Sequence, residues 1–164
     1  MKFVSIIIGS KSDYPVMKEC AETLKKFGVP YELVISSAHR SAERTQTYIR
    51  QAEEKGAQVF IAAAGMAAHL AGAVAAATTK PVVGVPLAGG ELQGQDALLS
   101  TVMMPAGMPV GTLAIGKAGA VNAAYMAVQI LALDDNELRI KLQEDRISKA
   151  KKVELDSSEV EVLL

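Results

Sequence analysis

Apolar residues along this chain follow two alternating patterns. Short, nearly continuous apolar runs predict buried β-strands, and runs with apolar positions at helical spacing predict amphipathic helices. The predicted strands cover residues 3–8, 31–35, 58–64, 81–85 and 109–115. The predicted helices cover residues 13–27, 41–55, 67–78 and 118–133, and a glycine follows each of the first two.

The alternation of strands and helices predicts an α/β fold, with a parallel sheet covered by helices on both faces. Ligands of such sheets bind beyond the carboxyl ends of the strands. This rule directs attention to four loops, at residues 9–13, 36–41, 64–69 and 86–95. Polar residues in the first three of these loops are the ones most suggestive of chemistry.

The chain has the length of one domain, spanning residues 1–164, with neither an internal repeat nor a linker. Its composition changes after the last apolar helix. We therefore expect an α/β core over about residues 1–133 and a C-terminal helix and tail over residues 134–164.

The predicted C-terminal helix, residues 137–152, is charged and has a thin apolar stripe. Residues 134–136, Asp-Asp-Asn, offer it an N-cap. The helix is either solvated or docked on a neighbouring subunit, and the sequence leaves both interpretations open. Residues 156–164 are expected to be loosely ordered.

Charge and composition argue against several partners. A formal net charge of −1 provides no general attraction for nucleic acid or a membrane surface, so local groups must hold a negatively charged substrate. The weakly polar stretch 59–79 contains Gly65, His69 and Gly72 and lacks charged flanks, which favours strand, loop and helix over a membrane span. The single cysteine, Cys20, rules out an internal disulfide and is consistent with a cytoplasmic protein.

The first loop, residues 9–13, reads Gly-Ser-Lys-Ser-Asp. Gly9 lets the backbone approach a ligand, and the free N–H groups of a helix start attract phosphate, to which the Ser10 and Ser12 hydroxyls add donors. The spacing matches neither a P-loop nor a dinucleotide fingerprint. The alternative interpretation is that Ser12 or Asp13 is an ordinary helix N-cap.

The second loop, residues 36–41, contains His39 next to Arg40. Histidine titrates near neutral pH and can both give and take a proton within one turnover. Arginine can hold a phosphate with two parallel hydrogen bonds. The alternative is an exposed loop histidine beside a solvated arginine.

The third loop lies within residues 62–72, where small side chains favour a tight, water-poor pocket. Backbone N–H groups from Gly65 to Ala68 are candidates for holding a small anion such as a carboxylate, and His69 is either functional or a packing residue at a helix start. Two histidines and one cysteine form no metal-ligand cluster of usual spacing. The residues thus predict a site without metal or cofactor, in which a histidine acts as acid and base on a phosphate-bearing small molecule.

Four motifs follow one another along the chain: Gly9-Ser10-Lys11-Ser12-Asp13, Ser37-Ala38-His39-Arg40, Ala67-Ala68-His69-Leu70, and residues 109–119, Pro-Val-Gly-Thr-Leu-Ala-Ile-Gly-Lys-Ala-Gly. In this order and spacing they resemble the N5-carboxyaminoimidazole ribonucleotide mutase family. The resemblance extends from about Val4 to about Leu142. It implies a flavodoxin-like three-layer α/β/α sandwich with a central parallel sheet, assembled as a homo-octamer with active sites between subunits.

The resemblance also implies an isomerase of de novo purine (IMP) biosynthesis. Such an enzyme converts N5-carboxyaminoimidazole ribonucleotide to 4-carboxyaminoimidazole ribonucleotide by decarboxylation and recarboxylation. His39 is the implied proton shuttle at the aminoimidazole ring. The implied substrate-binding residues are Gly9, Ser10, Ser12, Asp13, Ser37 and Arg40 at the phosphate and ribose, and Gly65, Ala67, Ala68, His69 and Leu70 around the migrating carboxylate.

Two segments depart from the family pattern. Where the family usually has Gly-Gly-Ala-Ala-His-Leu-Pro-Gly, this chain has Gly-Met-Ala-Ala-His-Leu-Ala-Gly at residues 65–72. Met66 adds bulk beside the carboxylate loop, and Ala71 removes a rigid turn residue. Residues 87–92 also differ from the polar segment that the family pattern predicts. We expect the fold and the reaction to survive these changes and the pocket shape and the rate to be affected.

Two other functions are weighed against this one. An enzyme that carboxylates aminoimidazole ribonucleotide directly with CO2 resembles this chain, but its loops carry Ser-Ala-His-Lys and lack Ala-Ala-His-Leu, so Arg40 and His69 favour the mutase. A phosphoacceptor or flavin-binding module with the same fold needs clustered acidic residues or stacking aromatics. The chain instead has Gly9-Ser10 and Ala64-Gly65 at the relevant strand ends, and no Trp.

Overall fold

A computed structural model describes residues 1–163 of the chain, so the predicted tail extends one residue, Leu164, beyond the described part. Its strands are β1 (Phe3–Ile8), β2 (Tyr31–Ile35), β3 (Ala57–Gly65), β4 (Val82–Leu87) and β5 (Gly111–Thr112). Its α-helices are α1 (Tyr14–Phe27), α2 (Ala42–Lys55), α3 (Leu70–Ala77), α4 (Gln95–Val102), α5 (Lys117–Leu131) and α6 (Asn136–Val160). A short 3-10 helix at Lys11–Asp13 precedes α1.

The five strands form one parallel sheet in the order β2-β1-β3-β4-β5. This is the flavodoxin-like order, and it confirms the predicted three-layer α/β fold. The chain leaves β1 toward β2 on one side and returns to β3 on the other. Loops that follow these strands diverge there, which opens a crevice at the carboxyl edge of the sheet.

Alternate residues of each strand contribute to two separate apolar cores, one on each face of the sheet. On one face, Ile6 and Ile8 pack with α1 and α5, and on the other, Ile7 packs with α2 and α3. Small residues allow α5 to approach the sheet closely. A Cβ on Gly119 would lie 3.3 Å from Cγ1 of Val85 in β4 and only 1.6 Å from the carbonyl oxygen of Ala114 in the loop before α5, so this position accepts no side chain without a backbone shift.

Several predicted elements agree closely with the structure. The bounds of β1 and β2 match the prediction, and α1 and α2 end at Gly28 and Gly56, whose φ angles of 72° and 112° are in the left-handed region. Cys20 is fully buried on the apolar side of α1. The Asp135 side chain accepts a hydrogen bond from the Leu138 amide and caps α6.

Other bounds were wrong. The fifth strand is limited to Gly111–Thr112. Pro109, which was expected to begin it, has no N–H to donate to β4, and beyond Thr112 only isolated bonds, such as Leu113 N–H to Gly84 O, join the chain to β4. Helix α4 was not predicted at all. Helix α6 continues to Val160, so most of the segment expected to be loosely ordered is helical. Within residues 1–163, no helix has both the length and the apolar character needed to span a bilayer.

Candidate active site

A cleft of about 620 Å³ opens at the carboxyl edge of the sheet. All four loops singled out from the sequence line it, including Ala88 and Gly89 from the loop after β4. Eleven of the twelve candidate site residues line it together, namely Gly9, Ser10, Ser12, Asp13, Ser37, His39, Arg40, Gly65, Ala67, His69 and Leu70. The twelfth, Ala68, does not. The cleft lining in the described chain includes no Phe, Tyr or Trp on which a flavin could stack.

Arg40 closes one end of this cleft. Its Nη2 donates to the carbonyl oxygen of Gly9 at 3.2 Å, and its Nε lies 3.4 Å from the Ser37 hydroxyl. Among residues 1–163, no carboxylate forms a salt bridge with Arg40. The guanidinium thus links the loops that follow β1 and β2 and retains N–H groups for an anion.

The loop after β1 is organised by its own polar groups. The Asp13 carboxylate accepts a hydrogen bond from the Ser10 amide at 2.9 Å, and the Ser10 and Ser12 hydroxyls bond to each other. Burial raises the pKa of Asp13, while the Ser10 and Gly9 amides and the Arg40 charge oppose that shift. Asp13 occupies the N-cap position of α1, but its side chain bonds backward to Ser10 and not forward into the helix. It therefore shapes the loop that follows β1.

The two histidines of the chain meet in the middle of the cleft. Nε2 of His39, in the turn after β2, lies 2.7 Å from Nδ1 of His69, at the N-cap position of α3. The rings are nearly perpendicular, with an angle of 88° and centroids 4.9 Å apart. A hydrogen bond of this kind requires one of the two facing nitrogens to carry a proton and the other to offer a lone pair.

The third loop presents small groups to the same space. Gly65 is the last residue of β3 and pairs with Leu87 of β4, and a Cβ there would lie 3.3 Å from the Leu87 carbonyl oxygen. Ala67 and Leu70 line the cleft, but Ala68 is buried and its amide donates to the Ser100 hydroxyl at 2.9 Å. The Ala68 N–H is therefore already satisfied and is not free to hold the small anion that the sequence led us to expect there.

Sequence reasoning missed Ser100, which holds this loop in place. Its hydroxyl donates to the Asp96 carbonyl oxygen at 2.7 Å and accepts from Ala68, which ties the third loop to α4. No sequence signal identified it, because α4 itself is short and carries exposed apolar residues. Within the described chain, no cluster of three or more His, Cys, Asp or Glu side chains is placed to hold a metal ion.

Comparison with known proteins agrees with the geometry. Residues 3–152 match the AIR carboxylase family. The chain is similar to the N5-carboxyaminoimidazole ribonucleotide mutase of Pyrococcus horikoshii, at 49% identity covering 96% of this chain and 88% of that protein. It is also similar to the N5-carboxyaminoimidazole ribonucleotide mutase of Escherichia coli K12, at 51% identity covering 87% and 85%.

A solved structure extends the likeness to the whole fold. The crystal structure of Treponema denticola PurE superposes with a TM-score of 0.89, covering 99% of this chain and 100% of that one, at 27% sequence identity. The fold, the cleft and the sequence likeness over most of the chain lead to one conclusion. This chain is a member of the AIR carboxylase family.

Proposed function

We propose that this chain is an N5-carboxyaminoimidazole ribonucleotide mutase, which moves a carboxylate from the exocyclic nitrogen of its substrate to the neighbouring ring carbon in purine biosynthesis. The contact between His39 and His69 supports this most directly. It joins an acid/base group to the loop of small residues, so proton transfer and carboxylate handling occur at one point of the cleft. The similar proteins named as mutases share about half of its residues.

Substrate binding follows from the charges in the cleft. The 5′-phosphate binds at Arg40, with the Ser10 and Ser12 hydroxyls and the amides of that loop as further donors. The ring then extends toward His39, and the carboxylate toward residues 65–70. Since the net charge of the chain is only −1, these local donors provide the attraction for an anionic substrate.

The chemistry is an isomerisation in which no atom is gained or lost. Protonation of the exocyclic nitrogen breaks the C–N bond of the carbamate, whose electron pair stays on nitrogen, and releases CO2. The enamine-like ring carbon attacks CO2, and the proton that leaves this carbon returns to the base. His39 supplies the first proton and receives the second, a role commonly worth about 10²–10⁴ in rate.

His69 acts through His39 in this scheme. The hydrogen bond between His39 Nε2 and His69 Nδ1 orients the His39 ring and leaves Nδ1 of His39 to exchange a proton with the substrate. A cleft built from alanine and glycine near His69 excludes water and holds the released CO2 against the ring, which adds an effective-concentration advantage.

Assembly into a homo-octamer is part of the proposal. Exposed apolar residues on α4, at its C-cap and on α6 favour association with further copies of the chain. Leu99, Met103, Ile147 and Val153 are each more than half exposed in the single subunit. The number of eight subunits comes from the family resemblance. Multi-angle light scattering at micromolar concentration tests it, and a stable monomer would contradict it.

The decisive experiment offers the purified protein each of two substrates. We expect turnover of N5-carboxyaminoimidazole ribonucleotide without ATP, biotin or added metal, and little exchange of its carboxylate with labelled bicarbonate. His39→Asn should still bind the nucleotide but lose nearly all turnover. A protein that ignores this substrate and efficiently carboxylates aminoimidazole ribonucleotide with CO2 would be the direct carboxylase, with the same fold and cleft.

A further inference from the structure

Met66 combines two features that set it apart from the rest of the cleft. Its φ angle is 55°, in the left-handed region that favours glycine, and only Gln93, with φ 49°, shares this property among the non-glycine residues described. It also lines the cleft, while Gln93 does not. The chain thus retains a long apolar side chain where the backbone conformation favours none.

The Met66 side chain reaches across to the loop after β4. A Cβ built on Gly90 would lie 3.6 Å from Cγ, 3.7 Å from Cε and 3.9 Å from Sδ of Met66. The Met66 side chain therefore faces Gly90 on the side where a Cβ would stand, with room for no more than about a methyl group between them, and it bridges from the loop after β3 to the loop after β4. Since 61% of Met66 is exposed in the free protein, it also has apolar surface left to cover a bound substrate.

We propose that Met66 is a positioning residue that keeps the CO2 formed during the reaction inside the cleft, an inference that rests on the proposed mutase function. After the C–N bond of the carbamate breaks, CO2 either forms the new bond to the ring carbon or diffuses away and leaves aminoimidazole ribonucleotide behind. The flexible apolar side chain of Met66, held against Gly90, closes the gap between the two loops. It excludes water and narrows the exit for CO2.

Replacement by glycine tests this role directly. Met66→Gly removes the apolar side chain between the two loops and also relaxes the left-handed backbone. The protein is therefore expected to fold and to melt no lower than the wild type. With N5-carboxyaminoimidazole ribonucleotide in labelled bicarbonate, we expect the variant to release about tenfold more aminoimidazole ribonucleotide per product formed, and to incorporate correspondingly more label. A sample without enzyme corrects for spontaneous decarboxylation.

Two matched variants separate retention of CO2 from structural effects. Met66→Leu keeps apolar bulk at the same backbone conformation and should retain the partitioning of the wild type. Gln93→Gly relaxes the other left-handed residue, in the same loop as Gly90 but outside the cleft, and should leave partitioning unchanged. A folded Met66→Gly protein with wild-type partitioning would overturn the inference. A wild-type protein that does not turn over the substrate would instead overturn the proposed function itself.

Discussion

Helix α6 is attached to the rest of the subunit by few apolar contacts, which makes its charged contacts testable. Leu138 is its only buried residue in the described chain, although α6 is 25 residues long. Further along, Asp145 lies between α1 and α5 with only 9% of its side chain exposed. Its carboxylate accepts hydrogen bonds from Lys26 of α1, from the Tyr125 hydroxyl of α5 at 2.7 Å, and from Lys149 of α6 at 2.7 Å.

Asp145→Asn should therefore loosen α6. The two lysine side chains are 56% and 58% exposed, so each pair contributes in the range of a surface salt bridge, about 0–1 kcal/mol. The part-buried bond from Tyr125 to a charged acceptor contributes about 1.5 kcal/mol. Together we expect a loss of about 2 kcal/mol in the free energy of unfolding, or roughly 4–8 °C in Tm for a chain of this size.

Hydrogen exchange on the intact protein localises the effect. Amides of α6 beyond residue 140 should exchange faster in Asp145→Asn, while amides of β1 and β3 in the centre of the sheet should be much less affected. Glu144→Gln is the matched control, because it removes one carboxylate charge from the adjacent exposed position of the same helix. Equal melting temperatures and equal α6 exchange for the two variants would refute the reasoning.

The same contact has a defined pH dependence. Burial acts to raise the pKa of Asp145, but the hydrogen bonds from Lys149, Lys26 and Tyr125 outweigh it and hold the pKa well below its usual range. A carboxyl with a lowered folded-state pKa stabilises the protein above its unfolded pKa of about 3.9, and this contribution is lost as the pH falls through the folded value. The stability difference between wild type and Asp145→Asn should be constant above about pH 5 and shrink below about pH 4.

Two further predictions concern the end of the cleft at Arg40, where we propose that phosphate binds, and the core. Arg40→Ala should weaken binding of the ribonucleotide monophosphate by more than about tenfold and barely change binding of the dephosphorylated nucleoside, as measured by calorimetry. Arg44→Ala, outside the cleft, should change neither, and an equal loss for both ligands would contradict phosphate binding by Arg40. Tyr48→Phe leaves the fully buried Ser5 hydroxyl without the partner at 2.8 Å and should cost about 1–3 kcal/mol by thermal denaturation. Tyr14→Phe is the exposed control, and a similar Tm for both would show that the buried bond contributes nothing.

The accuracy of the sequence-based fold prediction follows from how local each signal is. Buried strands such as β1 are continuous apolar runs, and helices such as α1 end at a glycine that adopts a left-handed conformation, so a short window defines them. Helix α4 has exposed Leu99 and Val102, which removes the amphipathic pattern that a window detects. The C-terminal end of α6 was predicted to be loosely ordered because its polar composition resembles that of a disordered tail.

In the candidate site, too, some features follow from the local sequence and others depend on residues that are distant in the chain. Strand order and loop position bring Gly9, Arg40 and His69 to one edge of the sheet, and βα alternation alone predicts that convergence. Whether a polar group in those loops is free for a ligand depends instead on distant partners. The Ala68 amide was expected to face an anion, yet it bonds to Ser100 in a helix that was not predicted.

Met66, which replaces the glycine usual in the family, is a second residue whose surroundings could not be read from the sequence. From sequence, Met66 is only a bulky residue in place of a glycine, with no stated neighbour. In the structure it has a left-handed backbone, and its side chain lies at van der Waals distance from the position that a Cβ of Gly90 would occupy. Gly90 is left-handed as well, so the conformations of the two loops meet at this contact, and changes at the two positions are expected to depend on each other. Gly90→Ala would leave Met66 at ordinary van der Waals distance but would strain the left-handed backbone of residue 90, whose φ is 64°, and so displace the loop against which Met66 packs. It should therefore raise the loss of CO2 in the wild-type background and have little further effect in Met66→Gly.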